Sequence, residues 1–167
     1  MISGMDHLPT TEAAVTALRA IAATYAREIE VTHDIGADRT SRRSAAGVGV
    51  TTDPDGSLPH EAYVEFGGLP RVSVRLYPED DALITVEGVE CPDIPREGVP
   101  AFLRSVFDGL AHVKTRRFPP GYFLIVPMPG DRAVKEYVPM LTLSPWLSGR
   151  VRSPFHVKRR PALTLDP

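Results

Sequence analysis

EAYVEFGGLPRVSVRLYPEDDALITV, residues 61–86, decides the fold class of this chain. Ala62, Val64 and Phe66 alternate with Tyr63 and Glu65. Val72, Val74 and Leu76 alternate with Arg71, Ser73, Arg75 and Tyr77, and residues 82–86 follow as a third apolar run. A period of two puts the apolar set of each segment on one side of a strand. Gly67-Gly68-Leu69-Pro70 and Pro78-Glu79-Asp80-Asp81 separate the runs with residues that favour turns. Short alternating strands joined by tight turns predict an antiparallel meander with one buried face. Upstream, Gly47 to Thr52 carries Val48 and Val50 on one side and is followed by the turn Asp53-Pro54-Asp55-Gly56, which predicts one more strand.

Helices are expected on both sides of the meander. Over residues 10–30, Ala14, Leu18, Ile21, Tyr25 and Ile29 recur at helical spacing among many alanines, with Thr10 or Thr11 as cap and Glu12 in the first turn. Residues 97–114 repeat the pattern through Val99, Phe102 or Leu103, Val106, Leu110 and Val113, with Pro95 and Pro100 limiting where the helix begins. Between the first helix and the strands, residues 36–45 are small, polar and basic and read as an exposed loop. Tyr122 to Val126 predicts a buried strand, Arg132 to Leu141 a strand returning beside it, and Pro145-Trp146-Leu147 a short helical turn.

The expected architecture is therefore α+β: an antiparallel meander sheet of about five to six strands packed by an N-terminal helix and a second helix. Residues 1–149 form a single domain, and residues 150–167 an extended basic C-terminal tail. The order of helix, meander and second helix resembles the type III secretion chaperone-like fold, and that resemblance implies a role in protein binding.

At 167 residues the chain is the size of one domain, and its 43% hydrophobic and 24% charged content is that of an ordinary globular protein. Cys91 is the sole cysteine, so an internal disulfide framework is excluded and a reducing compartment is the expected home. Met1 to His7 lacks the basic start and apolar run of a secretory signal. The longest apolar stretch, Tyr122 to Met128, is far too short to span a bilayer. A soluble, cytoplasmic protein without a membrane partner is expected. The net charge of −2 divides unevenly: Arg150, Arg152, Lys158, Arg159 and Arg160 stand against Asp166 alone in the tail, leaving the body acidic.

Fragments of catalytic and metal motifs fail on their own spacing. His60-Glu61 opens like a zinc-protease helix, but the second histidine position holds Val64. Asp53, Asp55 and Gly56 imitate a calcium loop whose bidentate glutamate position holds Ala62. Gly47-Val48-Gly49 lacks the third glycine and the following helix of a dinucleotide site. Cys91 sits among Glu87, Glu90 and Asp93, whose charge disfavours a thiolate. No catalytic residue, metal ligand or cofactor is implied.

Two features point to partners. Glu79, Asp80, Asp81, Glu90 and Asp93 belong to an acidic stretch that reads as a rim for docking a basic protein, and Tyr122 and Trp146 are proline-fixed aromatics suited to anchor it. The leading expectation is a non-enzymatic protein-binding module: an immunity-type neutraliser, an adaptor or a small chaperone. The alternative is nucleic-acid binding through Arg39, Arg42 and Arg43 together with the basic tail, Arg150, Arg152, Lys158, Arg159 and Arg160. A second alternative is a small-molecule enzyme or ligand binder with no identifiable motif.

Overall fold

The computed structural model describes residues 8–34, 61–118 and 120–152. The expected strand at residues 47–52, the basic loop with Arg39, Arg42 and Arg43, and Lys158, Arg159 and Arg160 lie outside them. The described elements run α1 (Thr11–Thr24), β1 (Ile29–Asp34), β2 (Glu61–Phe66), β3 (Val72–Leu76), β4 (Asp81–Val86), β5 (Val89–Pro95), α2 (Val99–Phe107), β6 (His112–Arg116), β7 (Gly121–Met128), β8 (Arg132–Val138), α3 (Pro145–Ser148) and β9 (Val151–Arg152). The class is α+β, as the periodicities predict.

Helix α1 begins where expected, with the Thr10 hydroxyl accepting from the Ala13 N–H at 3.0 Å. It buries Ala14, Val15, Leu18, Ile21 and Ala22. It ends six residues earlier than the spacing predicts, at Thr24. Ala26 turns left-handed at φ 50°, and the Arg27 N–H closes back on the Ala22 carbonyl at 2.8 Å. Ile29 thus belongs to a strand, because its apolar spacing satisfies either period. The Arg27 side chain holds this corner. Its guanidinium donates to the carbonyls of Gly67, Leu69 and Pro70 at 2.8, 2.5 and 3.2 Å and lies 4.2 Å over the Phe107 ring.

The first sheet is fully antiparallel in the order β1-β2-β3-β4-β5. One row across it reads Val31, Val64, Val74, Ile84, Cys91 and faces the core. Strand β5 takes up the part of the acidic stretch that carries Glu90 and Asp93. A two-residue turn with positive φ at Glu87 (52°) and Gly88 (84°) folds it back on β4. A register shift opposite Ala82 and Ile84 then lets Val89, Cys91 and Ile94 all point inward.

The second helix is also shorter than expected. Gly109 at φ 74° stops it, with Leu110 N–H bonded to Ser105 O at 3.0 Å and Gly109 N–H to Val106 O at 3.1 Å. Leu110 is exposed as a result, and Val113 reaches the core from a strand. That strand belongs to a second sheet, β8-β7-β6-β9, in which β9 runs parallel to β6 and the other pairs are antiparallel. Two sheets thus stand where one meander was expected, and the second takes in Val151–Arg152, beyond Gly149.

One core joins everything. Helix α2 packs on β7 and against α1, α1 lies on β1 and β2, and β5 touches β8. Phe102 and Leu103 are buried among Val64, Ile84, Leu124 and Val138 in the same apolar cluster. The helices cover the inward side of each sheet and leave an outward side to solvent. Among the described residues, no helix is long and apolar enough to cross a membrane.

Candidate functional site

The acidic residues singled out in the sequence divide between two places. Glu79 and Asp80 lie exposed in the turn before β4, and Asp81 opens that strand with Oδ1 buried and without a hydrogen-bond partner among the described residues. Asp80 is matched internally. Its carboxylate lies 2.8 Å from the guanidinium of Arg96, which is only 2% exposed while Asp80 is 80% exposed. Arg96 also donates to the Tyr77 carbonyl at 2.9 Å, and its backbone N–H donates to Asp80 O at 2.8 Å. This buried cation is a clamp on the β3–β4 turn. Glu90 and Asp93 are exposed on the edge strand β5, Glu90 opposite Thr85 far from that turn and Asp93 beside Ile94, which pairs with Ala82 close to it.

Tyr122 and Trp146 are half-buried against the core rather than displayed on a rim. Tyr122 lies on β7 opposite Val138, and the Trp146 ring is covered by the Arg150 guanidinium at 3.8 Å. Arg152 is exposed on β9, paired in register with Lys114.

Cys91 is fully buried in the inner row of the first sheet. Burial, with a smaller contribution from Glu136, pushes its thiol up to about 12. It carries no thiolate at neutral pH and acts as a small apolar group. Burial likewise raises the Glu136 carboxyl, with Asp93 adding to the effect, because the β5–β8 contact brings these acids toward each other. Among the described residues, no group of three or more His, Cys, Asp or Glu is arranged to hold a metal ion.

The structure assembles a different acidic site. On the outer face of the first sheet, a row reads Glu30, Glu65, Ser73, Thr85, Glu90. Glu30 stands directly opposite Glu65, and the Tyr63 hydroxyl donates to Glu65 at 2.9 Å. Like charges facing each other across a strand pair are unfavourable. Glu28 joins them in lining an open groove of about 460 Å³, which Arg71, Ser73 and Thr85 also line. Glu28 and Glu30 fall within the span that helical spacing assigns to the first helix. Their alternation with Ile29 and Val31 is the signal that exposes them.

The outer face of the second sheet has the opposite character. His112, Lys114 and Arg116 on β6, and Lys135 and Tyr137 on β8, flank Phe123 and Ile125 on β7. The period of two in each segment is the local sign of this face, and over residues 112–114 it competes with the helical spacing that runs on from residue 97.

Compared with protein families, with curated proteins and with solved structures, the chain has no significant match in any of the three.

Proposed function

We propose that this protein is a non-enzymatic protein-binding module that docks a basic segment of its partner on the outer face of the first sheet. The observation that carries this reading is Glu30 held in register against Glu65 beside an open groove. Such a pair costs about 0.2–1 kcal/mol relative to a neutral one. A lysine or arginine from a partner relieves the repulsion, gains a charge-assisted hydrogen bond and speeds encounter. Glu90 continues the same row at the β5 edge. An immunity-type neutraliser, an adaptor or a small chaperone working in a reducing compartment accords with this surface and with a single, inert cysteine.

The test is quantitative capture from the native host with the wild-type chain and a Glu30→Gln, Glu65→Gln variant, at low and moderate salt. The expected result is one basic protein retained at equal stoichiometry by the wild type and released by the variant. Identical capture by both chains, or none by either, overturns the reading.

A further inference from the structure

Strands β6, β7, β8 and β9 carry a single acid, Glu136, and its register opposite the buried Leu124 turns it to the inward side, toward Asp93 and Cys91. The outward side is built from cations and aromatic rings. One row across all four strands reads Arg152, Lys114, Phe123, Tyr137. Phe123 fixes two further cations above the sheet, with Lys135 Nζ at 4.1 Å from its ring centre and the Arg116 guanidinium at 5.2 Å. Tyr137 meets the same ring edge-on at 6.0 Å. At the β6–β7 turn, Phe118 is 86% exposed, and Arg116 Nε donates to its carbonyl at 3.0 Å.

We infer that this face binds single-stranded nucleic acid, with bases stacked on Phe118 and Tyr137 and phosphates held by Lys114, Arg116, Lys135 and Arg152. Charge complementarity selects a polyanion, since no described acid lies on the face to compete. The exposed rings select unpaired bases, because a duplex keeps its base faces stacked inside and this sheet presents no helix to enter a groove. An acidic polypeptide offers the charge without the planar faces. The inference does not depend on the acidic surface, which belongs to the other sheet.

The test is fluorescence anisotropy of a labelled oligothymidylate with the full-length chain, across a salt series. Four phosphate contacts predict a slope of log affinity on log salt near about −3. Phe118→Ala is expected to weaken binding roughly tenfold through lost stacking. Lys114→Ala with Lys135→Ala is expected to flatten the slope by about 1.4. These side chains are exposed, so circular dichroism and thermal melting of the variants should match the wild type. Competition by polyglutamate as effective as by the oligonucleotide, equal affinity for a duplex, unchanged binding by both variants, or no binding at low salt overturns the inference. Capture through Glu30 and Glu65 is unaffected by these variants, so the two readings fail separately.

Discussion

Tyr137 lies over Gly121 so closely that a Cβ on the glycine would fall 2.5 Å from the tyrosine ring. The tyrosine covers the bare backbone of the neighbouring strand and donates its hydroxyl to Pro120 O at 3.1 Å. An aromatic side chain packed on a strand glycine makes up for the missing side chain and fixes the ring's position. Here it sets Tyr137 edge-on to Phe123.

Gly121→Ala should displace that ring and cost about 1–2 kcal/mol, from the lost hydrogen bond and aromatic contact. In a Tyr137→Ala background the same change should cost less than about 0.5 kcal/mol, since nothing remains to collide with. Urea denaturation of the four chains measures the coupling.

Arg27 joins the end of α1 to the β2–β3 turn, and burial lowers its pKa through loss of solvation. Arg27→Lys should destabilise by about 1–2 kcal/mol, because one ammonium cannot serve three carbonyls and stack on Phe107. Hydrogen exchange should show loss of protection at Gly67, whose N–H bonds to Glu28 O at 2.9 Å. Unchanged exchange there would refute the clamp.

The Arg96–Asp80 pair should respond asymmetrically. Arg96→Ala empties a buried site and releases the β3–β4 turn, at a cost of about 3–5 kcal/mol. Asp80→Asn should cost only about 1 kcal/mol, since Asp80 is exposed and asparagine accepts its left-handed φ of 66°. Equal losses in denaturant midpoints would show that the exposed partner matters as much as the buried one.

Cys91 predicts a pH dependence. Its thiol rises from the ordinary 9.0 to about 12 on folding, so above pH 9 the unfolded chain binds fewer protons than the folded one. Its stabilising contribution is complete below pH 9 and is lost as pH rises toward 12, at about 1.4 kcal/mol per unit. Cys91→Ala should lower stability at neutral pH and flatten that decline relative to the wild type. A thiol reagent at pH 8 should leave the native chain unmodified until denaturant is added.

Glu30→Lys should raise stability by about 0.2–1 kcal/mol, by replacing a like-charge pair with an attractive one opposite Glu65. It should at the same time abolish capture of the basic partner. A variant that gains stability and keeps its partner would remove the acidic groove from the binding surface.

The three strands within residues 61–86 were legible because each buried face repeats every second residue and the turns between them hold glycine, proline and aspartate. Both helices were legible at their starts but not at their ends. Ala26 and Gly109 stop them through left-handed backbone that tertiary contacts stabilise, while the apolar spacing runs on past them. Strand β5 was hidden because its exposed residues are two acids and two prolines, Glu90, Asp93, Pro92 and Pro95, and its register shift breaks the alternation.

By itself, the sequence determined the class of the fold, the placing of its core segments and the overall excess of acid in the body. Each of these depends on near neighbours along the chain. Only the tertiary structure decided that there are two sheets, that Glu30 faces Glu65, and that Arg152, Lys114, Phe123 and Tyr137 share one row. Those relations depend on register between segments far apart in the chain, and register is selected by how whole faces pack in a common core.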